Sequence, residues 1–250
     1  MQIPKSHPRY TSLKTRDLIV RGVDEGITSI HGLIAHGRGE AFDYLIAEKT
    51  NHFAKKSIKA AAALLLLANN PVISVNGNTA ALVPKDLVRL SKAIKAPLEV
   101  NIFHCSNKRE IKIKNHLIKN GAGKVLLPDK KYKIKFLDSN RRYVNAQGIL
   151  KADVVFVPLE DGDRTEALIK NGKKVITVDL NPMSRTARKA TITIVDNITR
   201  TMPLLINAIN EYKKYNKNKL KEISKNYHNK INLENWKKIP QRDFFPFTNR

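Results

Sequence analysis

Residues 34–45, IAHGRGEAFDYL, place an imidazole and a guanidinium among glycines at the start of a predicted helix. His36 and Arg38 are each followed by a glycine, and an amphipathic helical pattern begins at Gly39. Glycine lets a ligand come close to the backbone, and a helix N-terminus presents free N–H groups and partial positive charge. The segment predicts a loop that binds a phosphate or carboxylate at the mouth of a helix. A tight turn with a solvated arginine is the alternative.

Polar side chains also follow five short apolar runs, whereas ordinary Lys, Asn and Gly stand at the opposite ends of these runs. Ligands of an open parallel sheet bind outside the carboxyl ends of its strands. If the runs are strands of such a sheet, these side chains line a functional cleft along one edge. The candidates at this edge are Asn76, Asn78, His104, Asp161, Asp163, Arg164, Asp179, Asn181, Arg185, Thr186, Asn197, Thr199, Arg200 and Thr201.

Each of these clusters also has a simpler interpretation. Asp179 follows a strand like the acid that holds a ribose hydroxyl, but it also suits a helix cap or turn. Residues 197–201, NITRT, suit a phosphate tail or plain N-capping. Residues 160–164, EDGDR, offer carboxylates to Mg²⁺ or to an ammonium group, or form a charged turn. His36 and His104 are candidate general bases or hydrogen-bonded spacers.

The elements that position these residues follow from the hydrophobic pattern. Short apolar runs rich in β-branched residues alternate with segments of helical period, which indicates a parallel sheet covered on both faces. We predict an α/β, Rossmann-like, doubly wound and mainly parallel sheet. The predicted strands span residues 71–75, 98–103, 124–127, 152–157, 173–178 and 191–195, and the helices between them residues 84–95, 107–120 and 163–171.

Helical segments also precede and follow the predicted sheet. They span residues 12–24, 39–48, 53–70 and 198–215. We divide one domain into an N-terminal helical segment (1–70), a Rossmann-like core (71–215) and a basic C-terminal tail (216–250). Residues 128–147 have no clear period and are predicted to form an insertion. The aromatic residues of the tail suggest that it docks on the core; disorder is the alternative.

The composition favours a cytoplasmic protein. The chain of 250 residues contains one cysteine, Cys105, which excludes an internal disulfide. Its first residues, MQIPKSHPRY, lack the apolar region of a secretory signal. The most apolar run, residues 60–68, is too short to span a membrane and indicates a buried helix.

The formal net charge of +24 raises the possibility of a nucleic-acid partner. Residues 104–142 carry +9 and residues 213–250 carry +8, so most of the excess lies in two segments. No RNA-recognition aromatic motif, zinc finger or helix-turn-helix signature accompanies them. We interpret them as solvated lysine-rich faces, and nucleic-acid binding remains the alternative function.

Known nucleotide-binding motifs are missing from the sequence. The chain has no GxxxxGK[ST], and residues 120–125, NGAGKV, have the wrong spacing and precede a strand. It also lacks a GxGxxG between a strand and a helix, which disfavours a dehydrogenase. A bound nucleotide would therefore be held by strand-end groups and arginines.

Several long strings resemble the archaeal 4-phosphopantoate–β-alanine ligase family, also called phosphopantothenate synthetase. They are IPKSHPRYTSL, GLIAHGRGEAFDYL, AAALLLLA with PVISVNGNTAALVP, VVFVPLEDGDRTEAL and VDLNPMSRTARKATITIVDNITR. The resemblance covers about residues 3–209. It fails in the lysine-rich residues 107–144 and after Tyr215, so no role is transferred there.

The resemblance implies a homodimeric, Rossmann-like enzyme of coenzyme A biosynthesis. Such an enzyme joins 4-phosphopantoate to β-alanine, makes 4′-phosphopantothenate, and cleaves ATP to AMP and pyrophosphate through an acyl-adenylate. The ATP contacts that it implies are Arg16, Arg38, Asp179, Leu180, Asn181, Arg185, Thr186, Asn197, Ile198, Thr199, Arg200, Thr201 and Met202.

This chemistry assigns roles to the candidate residues. Attack of a carboxylate on the α-phosphorus brings two anions together and calls for cations, including Mg²⁺ on the phosphates, although we assign no metal ligand. The cations expected there are Arg16, Arg38, Arg185 and Arg200. The β-alanine amine must lose a proton, and the candidate acceptors are His36, Asp161 and Asp163. The candidate substrate-binding residues are Asn76, Asn78, His104 and Arg164.

Overall fold

A six-stranded parallel sheet forms the centre of the protein in the computed structural model, which describes residues 3–7, 9–103 and 106–239. The strands are β1 (Pro71–Val75), β2 (Leu98–Val100), β3 (Val125–Leu126), β4 (Asp129–Lys133), β5 (Tyr143–Val144), β6 (Val154–Phe156), β7 (Lys174–Val178) and β8 (Ile192–Ile194). The sheet order is β3-β2-β1-β6-β7-β8, and β4 and β5 form a separate antiparallel pair. The predicted α/β, doubly wound architecture is confirmed.

The order of the strands reverses between β1 and β6, which are neighbours in the sheet. Ile73 of β1 pairs with Leu98 on one side and with Phe156 on the other. All three side chains are buried, because helices cover both faces of the sheet. A reversal of this kind leaves a crevice at the carboxyl ends of the two central strands.

Helices surround the sheet, and the first three of them precede β1 in the chain. They are α1 (Tyr10–Asp24), α2 (Ile30–Leu45), α3 (His52–Leu67), α4 (Gly77–Leu82), α5 (Pro84–Ile94), α6 (Asn107–Lys119), α7 (Gly162–Lys170), α8 (Arg185–Lys189), α9 (Ile198–Tyr212), α10 (Lys217–Lys225) and α11 (Asn229–Leu233). Short 3₁₀ turns (Asn140–Arg142, Glu234–Lys238) and a π-helical turn (Ala146–Leu150) complete the described part of the chain. None of its helices is both long and apolar enough to span a membrane.

The prediction that His36 and Arg38 lie in a loop before a helix is wrong. Helix α2 begins nine residues before Gly39 would start it, at Ile30, and the hydroxyl of Ser29 caps it by accepting from Gly32 N–H. A glycine costs a helix about 1 kcal/mol relative to alanine, which made the pattern look like a break. Packing outweighs that cost here, since Glu40 and Asp43 are buried against neighbouring elements.

The predicted insertion and tail also have definite structures. Residues 128–147 contain the β4–β5 pair and two short helical turns. The tail continues into α10 and α11, and Tyr227 shares a hydrogen bond of 3.0 Å with Ser57 of α3. Trp236 contacts Phe42 of α2 edge to face. The described part of the tail, which ends at residue 239, therefore docks on the core. The last aromatic residues of the tail lie outside the described range. The division of the chain into three segments stays a prediction.

Candidate functional site

Two adjoining cavities lie at the carboxyl ends of β1, β6 and β7, beneath helix α2. The β7 cavity, of about 350 Å³, is lined by His36 and by the loop after β7, including Asp179, Asn181, Ser184 and Thr186. The β1 cavity, of about 430 Å³, is lined by the loops after β1 and β2. The shared wall consists of Ala35, Arg38, Asn78, Leu159, Glu160 and Asp161. The cleft thus spans the point where the strand order reverses, where a ligand is expected.

Arg38 stands where the two cavities meet. Its side chain is exposed and lines both of them. It has no hydrogen bond or ion pair with any other residue that the structure describes. Its guanidinium is therefore available to an anion in either cavity, as the sequence predicted, although it projects from the middle of a helix.

His36, two residues earlier on α2, is buried against the β7 cavity. Its Nε2 atom is buried without a hydrogen-bond partner among the described residues. Burial lowers the pKa of His36, and the positive charge of Arg16 lowers it further, while Glu40 acts in the opposite direction. The imidazole is thus neutral near pH 7 and has a nitrogen free to accept a proton.

A buried network of charges supports the wall between the cavities. The carboxylate of Glu160 lies between the guanidinium groups of Arg141 and Arg164. Arg141 also donates to Asn101 and, over 2.7 Å, to Asp161. Arg164 is fully buried and lines neither cavity, so its predicted substrate contact is not available in this arrangement. Its position makes it a support for Glu160.

Asp161 and Asp163 lie in different environments despite their closeness in sequence. Asp161 caps α7 and lines both cavities. Burial favours its neutral form, but the charge of Arg141 and the N–H of Arg164 outweigh burial and lower the pKa of Asp161. Asp163 is exposed and pairs with Arg185 over 2.5 Å, outside both cavities. Of the two carboxylates predicted as proton acceptors only Asp161 faces the cleft, and it is ionised.

Asn76 and Asn78 line the β1 cavity, but their amide groups already have partners. Asn78 accepts from the hydroxyl of Thr28 and donates to the carbonyl of Gly32 over 2.9 Å, which ties α4 to the first turn of α2. Asn76 donates to the carbonyls of residues 158 and 159 over 3.0 Å each. These amides position the walls of the cleft, and a substrate contact of either residue stays a prediction.

The loop between β7 and α8 brings its predicted residues together. The carboxylate of Asp179 accepts from the hydroxyl of Ser184 and from the N–H of Asn181. Burial raises the pKa of Asp179, against these two hydrogen bonds. Leu180 and Thr186 complete this side of the β7 cavity.

The remaining predicted ATP contacts lie beside the cleft and do not line it. Arg16 donates to Glu40 over 2.7 Å, and Arg200 pairs with Asp43 and Asp196 over 2.6 Å each. Each arginine thus pairs with an acidic residue of α2, and Arg200 also pairs with Asp196, which lies just before α9. The others in this group are Arg185, Asn197, Ile198, Thr199, Thr201 and Met202, which also line neither cavity. Contact of any of these with ATP stays a prediction.

Sequence reasoning missed three residues of the cleft. Arg109 and Arg141 line the β1 cavity but lie in the lysine-rich region where no family string marks them. Glu160 was visible only as one of several acids in EDGDR. No local pattern separates a buried ion-paired arginine from a solvated one, so only tertiary contacts could identify them. The predicted His104 lies outside the described residues.

Comparison of the sequence with known proteins identifies the family of this chain. Residues 53–242 match the family model described as phosphopantothenate/pantothenate synthetase. The chain is similar to 4-phosphopantoate–β-alanine ligases from Thermococcus onnurineus (53% identical, 92% of this chain and 88% of the relative) and Methanosarcina mazei (50% identical, 92% and 91%). A third relative of that name, from Thermococcus kodakarensis, is 52% identical over 92% of this chain and 88% of its own. The chain therefore belongs to the phosphopantothenate/pantothenate synthetase family.

Proposed function

We propose that this protein is an ATP-dependent ligase that joins 4-phosphopantoate to β-alanine in coenzyme A biosynthesis. The names of its relatives support the substrates and the amide bond. The observation that carries the proposal is the position of Arg38 at the junction of two cavities, a cation with no ion pair to any residue that the structure describes. A reaction between a nucleotide and a carboxylic acid needs two adjacent sites and a positive charge between them.

In the first half-reaction, the carboxylate of 4-phosphopantoate attacks the α-phosphorus of ATP. A bond forms between the carboxylate oxygen and phosphorus, and pyrophosphate leaves. The β7 cavity, lined by Asn181 and Thr186 among others, holds the nucleotide. Arg38 neutralises the approaching anions and the charge on the pentacoordinate phosphorus. The product is an acyl-adenylate.

In the second half-reaction, the amine of β-alanine attacks the carbonyl carbon of the acyl-adenylate, and AMP leaves. The nitrogen must lose a proton as the amide forms. We assign His36 as its acceptor, because its neutral imidazole lies on the cleft with Nε2 unpartnered among the described residues. Asp161 is a weaker base, since Arg141 stabilises its ionised form.

Mg²⁺ is expected with the ATP phosphates. The described residues include no cluster of three or more His, Cys, Asp or Glu side chains that could hold a metal ion. Mg²⁺ commonly binds through substrate phosphates, water and only one or two carboxylates. The described residues therefore provide no complete magnesium site of their own.

A homodimer in the cytoplasm is also part of the proposal. Large apolar side chains are exposed on α1 and α2, including Val20, Ile30, Ile34 and Leu45. Exposed apolar residues that cluster on adjacent helices are typical of protein interfaces. A second copy of the chain would cover them.

The purified protein, incubated with ATP, Mg²⁺, 4-phosphopantoate and β-alanine, should release AMP and pyrophosphate. Release of ADP and phosphate would contradict the acyl-adenylate route and indicate an acyl phosphate. Substitution Arg38→Ala should lower kcat by roughly 100-fold or more without unfolding the protein. The matched control is Arg89→Ala, at an exposed arginine paired with Asp86 on α5, which should leave the rate unchanged. Equal rates for both variants would remove Arg38 from the mechanism.

A further inference from the structure

Residues 227–239, here called the strap, connect the two helices that flank the β7 cavity. The strap contains α11 and the 3₁₀ turn Glu234–Lys238. It contacts α8 near its beginning and α2 near its end. None of its residues lines either cavity. Any effect of the strap on a ligand must therefore act through these helices.

Asn229, near the beginning of the strap, binds the C-terminal end of α8. Its side-chain amide donates to the carbonyls of Ala187 and Ala190 over 2.9 and 3.0 Å. Its Oδ1 atom accepts from the N–H of Thr193 in β8 over 2.8 Å. The last carbonyls of a helix have no partner within that helix. Asn229 therefore fixes the end of α8, the short helix that carries Thr186 into the β7 cavity.

The middle of the strap is anchored on α3. Asn232 is buried and donates to the carbonyl of Phe53 over 3.0 Å and to the hydroxyl of Ser57 over 2.9 Å. Leu233 and Ile239 are buried as well. The strap is therefore fixed to the core between its contacts with α8 and α2, so it can transmit a constraint from one helix to the other.

Trp236, near the end of the strap, packs on α2. Its ring contacts Phe42 edge to face, with 5.9 Å between the ring centroids. Phe42 lies four residues after Arg38, so the two side chains are neighbours on the helix surface. Gly39, between them, lines the β7 cavity, and a Cβ atom there would stand 3.4 Å from Cδ1 of Leu180. Trp236 thus contacts the part of α2 that meets the loop between β7 and α8.

These contacts form a closed series around the β7 cavity. Helix α2 meets the loop before α8 at Leu180, α8 meets the strap at Asn229, and the strap returns to α2 at Trp236. We propose that the strap holds the two walls of the β7 cavity in position for ATP, with Asn229 and Trp236 as positioning residues. The inference rests on the proposed function, which places the nucleotide in this cavity.

The two cavities should respond differently to a change in the strap. The lining that belongs to the β1 cavity alone comes mainly from residues 28–32, α4, α6 and the segment after β2. Asn229 and Trp236 contact α8, β8 and the later part of α2 instead. Loosening the strap should therefore weaken the binding of ATP and leave the binding of the acid substrate unchanged.

Calorimetry on the full chain measures the Kd for ATP with Mg²⁺ and, separately, the Kd for 4-phosphopantoate. Asn229→Ala and Trp236→Ala should each raise the Kd for ATP by roughly 3- to 10-fold, the effect of losing about one hydrogen bond. Trp236→Phe keeps an aromatic ring against Phe42 and should recover most of the loss. The matched control is Asn218→Ala, at an exposed asparagine of α10, which should bind both ligands like the wild type.

Hydrogen exchange shows whether the walls of the β7 cavity have loosened. Trp236→Ala should increase the exchange of backbone amides in residues 38–45 of α2. Asn229→Ala should do so in residues 181–190, around α8. Exchange in β1 and β2 should stay as in the wild type.

An unchanged Kd for ATP in both alanine variants would overturn the inference. Equal losses for ATP and 4-phosphopantoate would also overturn it, because the strap would then only stabilise the fold. If both alanine variants unfold, Trp236→Leu decides, and an unchanged Kd for ATP in that variant overturns the inference. A wild type that binds ATP but forms no AMP refutes the proposed ligase, while the selective loss of ATP binding in the variants still supports the inference. A wild type that binds no ATP overturns both.

Discussion

At the scale of single residues, neighbouring side chains decide which polar groups are available for chemistry. Arg38 lines the cleft and has no ion pair among the described residues, whereas Arg164 is paired with Glu160 in the protein interior. Asp161 faces the cleft, and Asp163, two residues later, faces solvent and Arg185. Residue type alone could not distinguish the members of these pairs.

The proposed base, His36, predicts a specific pH dependence. Because burial lowers its pKa, the neutral form that accepts a proton is present at a lower pH than for an ordinary histidine. We expect kcat to rise as pH increases and to level off below pH 6.5, the usual histidine value. In His36→Asn this rise of kcat with pH, the acidic limb of the profile, should disappear, and kcat should fall by roughly 100-fold. An identical pH profile in the variant would assign the limb to another group.

At the scale of elements, helix α2 forms one wall of the cleft and is held by side chains from other parts of the chain. Asn78 joins its first turn to α4. Its later turns are held through Glu40 and Asp43, which pair with Arg16 and Arg200. The glycines within α2 weaken its intrinsic helix propensity. These contacts with other elements keep the segment helical.

Removing the amide of Asn78 should loosen α2 over the cleft. Asn78→Ala leaves the Gly32 carbonyl and the Thr28 hydroxyl without this partner, which costs about 1–3 kcal/mol. Helix α2 carries both His36 and Arg38. The loss of transition-state stabilisation, calculated from the ratio of the kcat/KM values, should therefore exceed the loss in the free energy of unfolding. Asn69→Ala, at an exposed asparagine, is the control. A loss of stability without any kinetic effect would contradict a positioning role for Asn78.

Strand β2 carries a buried carboxyl group whose ionisation should affect stability. Burial raises the pKa of Glu99 to about 7, although the backbone N–H groups of Ile149 and Asn145 favour the charged form. Because the pKa of Glu99 is higher in the folded than in the unfolded protein, protonation of Glu99 stabilises the fold. This contribution is complete below pH 4.5 and is lost as pH rises through 7. Glu99→Gln lacks this loss, so its stability relative to wild type should increase between pH 5 and pH 8, by up to about 3 kcal/mol. Urea unfolding at both pH values measures the difference, and a constant difference would refute the assignment.

At the scale of the whole molecule, helix α2 contributes both to the cleft and to the exposed apolar surface. His36 of α2 faces the β7 cavity, whereas Ile30 and Ile34 are exposed by more than 60%. Association of two chains through this surface would hold α2 from its outer side. The positive charge is distributed elsewhere, on α6, β4 and the tail helices.

The proposed homodimer has a direct test. Light scattering of the wild type should give twice the 28.3 kDa of one chain. Ile34→Glu would bury a charge in the interface and should shift the protein towards the monomer. A change at an exposed lysine, Lys59→Glu on α3, should leave the dimer intact. A monomeric wild type, or an Ile34→Glu variant that stays dimeric, would contradict this interface.

The salt dependence of nucleic-acid binding distinguishes the ligase from the alternative function, in which the basic surface binds nucleic acid. If it binds nucleic acid, the affinity should fall log-linearly with salt concentration, with a slope close to the number of neutralised phosphates. Tight, salt-sensitive RNA binding without AMP formation would favour that alternative.

The sequence by itself determined the layered α/β architecture and the edge of the sheet at which the two cavities lie. Apolar strands alternate with helices over short distances, and this local pattern is sufficient to predict a parallel sheet and its functional edge. The long motif strings also identified the family correctly. Both kinds of signal are carried by neighbouring residues in the chain.

Only the tertiary structure decided the course of α2 and the partners of the charged residues. Arg200 meets Asp43 across 157 residues, and Asn78 meets Gly32 across 46. Contacts of this length have no local signature, because they depend on which faces of the elements pack together. For the same reason the sequence could not show that Arg141 and Arg164 form ion pairs in the interior while Arg38 lines the junction of the cavities.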